Sequence, residues 1–411
     1  MRMIAAFLTL ALVVATPAAA DVAIVGAKVY PAPNSQPLTD ATVVMRDGKI
    51  IAVGPSKDIN PGKSADIIDG KGLVVVAGFW NSHVHLMSPT LFQPPSQNAA
   101  ALSTELETMF THWGFTTIFD ITSLPGQAMG VRKRIAAGEI RGPNILTVDA
   151  PFFPKDGTPI YARELLKGQP SFEVETPAAG AARAQKQLAD GADGVKIFAG
   201  AIVGGKIGVL PMPLDAAKAI VDEAHRAGKP AFAHPTDNAG LNVAIESGVD
   251  ILAHTTPDGR QPWSPELVQR IKAHNMALIP TLSLWRVELQ RNKAPEVALK
   301  PFMATAQQQL KAYSDAGGQI LFGTDVGYTD AFDTTEEYTL MSEAGLTWQQ
   351  ILTSLTTAPA TRFGFTAKGR VEKGADADVT VLSADPATDV KAFAKVAYTV
   401  RAGAVIYTAQ K

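Results

Sequence analysis

The chain changes its hydrophobic rhythm twice. Near its start, VAIVGAKVY and ATVVMRDGKIIAVG alternate apolar and polar residues with a period of two, as strands with one buried face do. Arg46-Asp47-Gly48-Lys49 interrupts the run with Asp-Gly at its centre, which predicts a hairpin turn. ADIIDG and LVVVAG continue the pattern. ADVTVLS, VAYTVRAG and AVIYTA restore it at the other end, with Arg401-Ala402-Gly403 as a turn. Two strand-rich ends around a long middle predict one composite β domain, a small sandwich built from residues 21–73 and 366–411.

Between the ends, short apolar runs alternate with helical periods. VVVAGFW, TTIFDI, ILTVDA, GVKIFAG, AFAHP, ILAHT, LIPTLSL and ILFGTD read as strands. Segments such as ALSTELETMFTHWG, LDAAKAIVDEAHRAG, SPELVQRIKAHN and MATAQQQLKAYSDAGG read as helices, several of them ending in Gly. Strands interleaved with helices predict an α/β protein with a parallel (β/α)₈ barrel over residues 74–365. An open doubly wound sheet would place a Gly-rich phosphate loop after its first strand, and none follows.

The first twenty residues read as an export signal. Arg2 supplies a positive start, Ile4 to Val14 an apolar run, and Pro17-Ala18-Ala19-Ala20 a small-residue cleavage site before Asp21. The apolar run is shorter than the roughly 20 residues a membrane span needs. The expected product is an exported chain, periplasmic or secreted, with no stable membrane insertion once the signal is cut after Ala20.

Composition narrows the chemistry. With 411 residues, 46% hydrophobic and 18% charged, the chain has material for a large core. A net charge of -2 gives no electrostatic case for nucleic acid or an anionic membrane. The chain has no cysteine, so disulfides are excluded and any metal must be held by nitrogen and oxygen ligands. A small-molecule substrate is the expected partner, and a homo-oligomer is compatible with the sequence.

In parallel barrels, chemistry gathers at the C-terminal ends of strands. Six residues of metal-ligand or basic type fall at or near such ends. They are His83 and His85 in FWNSHVH, Lys196 in GVKIF, His234 in AFAHP, His254 in ILAHT and Asp325 in LFGTD. His83 and His85 alternate along a strand and point to one side, so both can reach one ion. With that pair in place, His234 and His254 become the expected third and fourth imidazoles. Asp325 could cap the next helix, but a carboxylate there can also bind metal and move protons. Gly323 would let the backbone approach closely. Lys196 has two readings: a stem snorkelling to solvent, or a desolvated amine that takes up carbon dioxide as a carbamate. His112, His225 and His274 fall in or at the ends of helices and read as structural. Tyr161, Trp263, Trp285, Tyr328 and Phe332 follow strands or sit in neighbouring loops and are candidates to line an apolar pocket.

NSHVH, GADGVKIF, FAHPT, ILAHT and FGTDV resemble, in order, the five ligand blocks of the amidohydrolase superfamily. GKIIAVG and GADADVTVL resemble its β domain, so the likeness covers nearly the whole mature chain. The pattern is most similar to the imidazolonepropionase-related branch that includes exported prolidase-like and Xaa-amino-acid dipeptidases.

The resemblance implies a deformed barrel with one or two divalent ions, zinc first and manganese, cobalt or iron as alternatives. It places His83, His85 and Asp325 on a buried ion, His234 and His254 on a second, and carbamylated Lys196 between them. Lys196, and Pro235-Thr236-Asp237-Asn238 after the fifth strand, argue against the one-metal deaminases, which lack the bridging Lys and usually carry a Glu there. The dipeptidase relatives tend to carry a carboxylate-reading Tyr where this chain has Met212, which argues against a dipeptidase; Met212 and Tyr328 are the expected substrate contacts. The expected reaction is cleavage of an amide, peptide or cyclic amide C–N bond by a metal-bound hydroxide, with Asp325 as proton shuttle. The rivals are a lactonase or organophosphate-ester hydrolase on the same centre and, behind both, an exported binding protein without catalysis.

Overall fold

The computed structural model describes residues 21–257 and 260–410; the expected export signal lies outside the described residues. Strands from both ends join one mixed sheet in the order Ala404–Thr408, Val396–Arg401, Val379–Leu382, Val74–Ala77, Val22–Val29, Leu38–Arg46 and Lys49–Pro55. A further strand, Asp66–Asp69, pairs with Val22–Val29. The Asp-Gly turn forms as its residues require: Asp47 and Gly48 have φ of 47° and 74°, and Arg46 pairs with Lys49.

Two expectations change here. Val74–Ala77, read as the front of the first barrel strand, is hydrogen-bonded to Val379–Leu382 and so belongs to the terminal sheet. The first strand of the parallel series is Phe79–Val84, after Gly78. The composite unit is also one continuous eight-stranded sheet in place of two separately bonded ones. Register shifts within Val22–Val29 bend the sheet over its own apolar face, where Ile24, Val43, Val75, Val379 and Val400 pack together.

The middle of the chain is α/β. Eight parallel strands form two arcs. The first contains Phe79–Val84, Phe115–Asp120 and Asn144–Thr147. The second contains Val195–Phe198, Ala231–His234, Ile251–Leu252, Ala277–Leu278 and Gln319–Ile320. Single parallel bridges, Val84 to Val326 and Phe152 to Ile197, cross from one arc to the other at both edges. Strand alternation separates two apolar layers: Val195, Ile197, Ala231 and Ala233 pack into the large core with the helices, while Trp80, Phe119, Phe232, Ile251 and Ile279 form an inner cluster.

LIPTLSL was expected to be all strand. Only Ala277–Leu278 is extended, and Leu282–Arg291 is a helix. Pro280 has no N–H for a ladder, and the helix is started by a partner distant in sequence: the Glu337 carboxylate accepts from the N–H groups of Leu282 and Ser283 at 2.9 and 2.7 Å. Among the described residues no helix is long and apolar enough to cross a membrane.

Candidate metal centre

Trp80 points into the inner cluster, so simple alternation would turn His83 outward. A register irregularity between Asn81 and Val84 reverses the phase, and His83 and His85 both face the cavity. Asp325 is set beside them by main-chain bonds: its N–H and that of Thr324 both donate to the carbonyl of His83, at 2.9 and 3.3 Å. Asp325 itself is left-handed, with φ of 62°. The approach is close enough to demand glycine on both sides of it. A Cβ on Gly323 would lie 2.7 Å from His83 Cβ, and one on Gly327 would lie 1.8 Å from the His85 carbonyl oxygen.

Lys196 and His234 come from the inner faces of neighbouring strands, and Phe198 pairs with His234 across them. His254 lies two residues beyond Ile251–Leu252. All six sequence-predicted residues, His83, His85, Lys196, His234, His254 and Asp325, are therefore brought to one cavity of about 430 Å³. All six are buried.

The short distances centre on Asp325. Its Oδ1 is 2.7 Å from His85 Nε2 and 3.3 Å from His83 Nε2, and its Oδ2 is 3.8 Å from His254 Nε2. Ligand atoms of His83, His254 and Asp325 all lie within 4.8 Å of one another. The rings of His234 and His254 are 4.6 Å apart between centroids.

Hydrogen bonds on the far side of two rings set their tautomers. His85 Nδ1 is 2.8 Å from the Thr122 carbonyl, which can only accept. Nδ1 therefore carries a proton, and a ring with that one proton turns a bare Nε2 to Asp325. His254 Nδ1 meets Thr281 Oγ1 at 2.7 Å, and that hydroxyl donates to the Pro280 carbonyl. The ring donates to Thr281 and again leaves Nε2 bare. With that one proton on His85, two lone pairs would face each other across 2.7 Å at Asp325. His83 Nδ1, His234 Nε2 and Asp325 Oδ1 are buried without a hydrogen-bond partner. A cation between the imidazoles and Asp325 would separate the facing lone pairs and give His234 Nε2 and Asp325 Oδ1 a partner, so the residues present fit a divalent metal held by nitrogen and oxygen.

Electrostatics point the same way. Burial depresses the His83 imidazolium to about 4 against the pull of Asp325, and holds His234 and His254 well below the usual imidazole range. These rings are neutral, as metal ligands must be. Burial alone would raise the Asp325 carboxyl, but the facing imidazoles hold it well below the usual carboxylate range, so it is ionised. Burial brings the Lys196 ammonium down to about 7, and the side chain makes no ion pair among the described residues.

Of the expected substrate contacts, Tyr328 lines the cavity. Met212 does not. It is 1% exposed and packed in the large core, and its N–H donates to the Ala199 carbonyl at the base of the hairpin Gly200–Gly204 and Gly208–Pro211. That hairpin, unexpected from the sequence, carries Met212 inward. Tyr161 and Trp285 line the cavity, whereas Trp263 and Phe332 are core packing. His112 meets Trp113 edge-on and His225 pairs with Asp250, both outside the cavity.

Two carboxylates were missed. Asp120 ends the strand Phe115–Asp120, fully buried, and accepts from Leu86 N–H, Ser123 and Thr147. Its position at a strand end, in TTIFDI, was the available signal. Glu337 lies in a helix with no local motif, and nothing in the sequence marks it.

A buried cluster of imidazoles and a carboxylate at the C-terminal ends of parallel strands defines an α/β protein with a group that could hold a metal. Residues 74–406 match the model of the Amidohydrolase family, and the chain belongs to that family. Ochratoxinase from Aspergillus niger is 26% identical over 420 residues, spanning 93% of this chain and 85% of that protein. The crystal structure of the A. niger ochratoxinase superposes with a TM-score of 0.76 at 22% identity, over 95% of this chain and 96% of that one. A Xaa-Pro dipeptidase with methionine bound in its active site gives a TM-score of 0.79 at 20% identity, over 95% and 100%.

Proposed function

We propose that this protein is a metal-dependent hydrolase that cleaves C–N bonds of amides with apolar substituents. The observation that carries the reading is His85 Nε2 held 2.7 Å from the Asp325 carboxylate on the floor of an apolar cavity. Family membership and the name of the ochratoxinase relative support it. The two parallel arcs read as a single (β/α)₈ barrel, a reading supported by the bridges at both edges.

In this reading His83, His85 and Asp325 hold one ion, zinc first, and His234 and His254 a second. Lys196 would join that ligand set as a carbamate, formed when its neutral amine adds carbon dioxide and loses a proton. The support for the carbamate is the buried position of Lys196 without a counter-ion, which an ammonium tolerates poorly. A divalent ion bound there supplies a Lewis acid for the carbonyl oxygen and a water of lowered pKa.

The chain's own residues do the rest. Phe198, Trp285 and their neighbours exclude water around the amide. Asp325, ionised and fixed by the His83 backbone, takes a proton from the attacking water as its oxygen adds to the acyl carbon. The C–N bond then breaks, its electron pair leaves on nitrogen, and Asp325 returns the proton there. The products are a carboxylate and an amine.

The test is amine release from N-acyl aromatic amino acids, ochratoxin A and cyclic amides, with and without chelator. Chelator-sensitive release supports the reading. No release by the metal-loaded protein, with turnover of lactones or phosphotriesters, would transfer the site to those esters. We further propose export with cleavage after Ala20, which a purified N-terminus of Asp21 would support and an intact leader would refute.

A further inference from the structure

Two separate aromatic clusters flank the metal-site imidazoles. Phe153, Phe172 and Phe198 belong to a small apolar cluster distinct from the main core. Phe153 meets Phe198 edge-on at 4.7 Å and Phe172 at 6.3 Å, and Phe198 stacks on His234 at 4.8 Å. On the other side, Trp285 meets His254 edge-on at 5.7 Å and Phe302 at 5.8 Å. These two belong to or pack against the main core. Each cluster thus leans on a different imidazole, and those imidazoles touch. All five aromatics line the one cavity.

Ionic recognition has little to work with. Lys196, at the floor, is the sole Lys or Arg among the cavity's lining residues, and the carbamate reading leaves it without a positive charge. Glu288, the lining carboxylate besides Asp325, is taken up by the Tyr328 hydroxyl at 3.1 Å and by Arg291 at 3.0 Å. A cavity of about 430 Å³ is in the range that encloses a ligand of drug size. A substrate with one large group would fill one wall and leave the other wet.

We infer that the substrate carries a bulky apolar, aromatic group on each side of the scissile C–N bond, one against the Phe153–Phe172–Phe198 wall and one against the Trp285–Phe302 wall. This rests on the amide-hydrolase reading and specifies its substrate class. The enzyme is a hydrolase of aromatic acyl groups joined to aromatic amines or amino acids, with small dipeptides as poor substrates.

The experiment uses the metal-loaded full chain and four compounds sharing one carboxylate: acetyl-glycine, benzoyl-glycine, acetyl-phenylalanine and benzoyl-phenylalanine. The expected kcat/KM for benzoyl-phenylalanine exceeds that for either singly aromatic compound by about tenfold or more, the scale on which apolar pockets discriminate. Phe172→Leu should erode the gain from one aromatic group, and Trp285→Phe the gain from the other. Benzoyl-phenylalanine within twofold of a singly aromatic compound would overturn the inference, as would both variants penalising the same group. Calorimetric binding of the four compounds separates it from the underlying reading. If none is cleaved, the amide reading fails. Binding at least about tenfold tighter for benzoyl-phenylalanine would then still uphold the two-walled site, and equal binding would reject it.

Discussion

His254 donates from Nδ1 to the hydroxyl of Thr281 at 2.7 Å, although Thr281 occupies the position where a threonine would ordinarily cap its own helix. Its φ of 45° is unusual for a β-branched residue. The helix Leu282–Arg291 is capped instead by Glu337, through the N–H groups of Leu282 and Ser283. The carboxylate thus frees Thr281 to orient a metal-site imidazole, and fixes the helix that brings Trp285 to the cavity.

Glu337→Ala and Thr281→Val are therefore expected to weaken metal binding by about 10–100-fold, the usual effect of removing a ligand's outer partner. Thr281→Ser keeps the hydroxyl and should retain most of the affinity. Competition with a fluorescent chelator measures this. A Thr281→Val protein with wild-type affinity would remove Thr281 from the account.

Gly327 separates close approach from strain. Its φ is 99° and a Cβ there would sit 1.8 Å from the His85 carbonyl oxygen, whereas Gly62, with φ of 90°, has nothing within 4 Å. Gly62→Ala should cost about 1 kcal/mol in denaturant unfolding, from backbone strain alone. Gly327→Ala should cost on the order of 3 kcal/mol or more and displace His85, with loss of bound metal. Equal costs for the two would show that the backbone at residue 327 can yield.

Much of the site was legible because each ligand carries its own strand end. NSHVH, AFAHP, ILAHT and FGTD each join an apolar run to a side chain of metal-ligand type, and the parallel strands bring those ends to one cavity. What failed was non-local. The helix at Leu282 depends on a carboxylate 55 residues later. Met212 was placed by analogy of spacing, and the hairpin that turns it into the core has no signal in its glycines beyond a turn. Val74–Ala77 is apolar throughout, so its pattern could not tell a barrel strand from one in the terminal sheet.

The metal-free protein should lose stability on acidification over a defined range. The folded His83 has its pKa lowered to about 4, against an unfolded value near 6.5. Between those values the unfolded chain binds more protons, so stability is present above about pH 6.5 and declines as pH falls toward 4. His234 and His254, shifted the same way by burial, extend the decline to lower pH. Urea unfolding of chelated protein from pH 7 to 4 measures it, and His83→Asn should flatten the slope. A pH-independent midpoint over that range would contradict the neutral, buried imidazoles.

Asp325→Asn isolates the proton-moving role. The amide keeps the size and one oxygen but loses the charge that faces His83 and His85. Activity should fall by at least about 100-fold, the scale of general acid–base catalysis, and metal content should fall as well. Restoring metal occupancy with excess zinc should leave most of the catalytic defect. Full activity in the variant would take Asp325 out of the reaction.

The proposed reaction is hydrolysis of aromatic amides through a metal held by the imidazole–carboxylate cluster. Its most direct test is amine release from benzoyl-phenylalanine by one preparation taken through three states: as purified, stripped by chelator, and reloaded with zinc. The account predicts release, its loss on stripping with metal analysis near zero, and its return on reloading. Release that persists in verified metal-free protein, or none at all from the fully loaded protein, would contradict it.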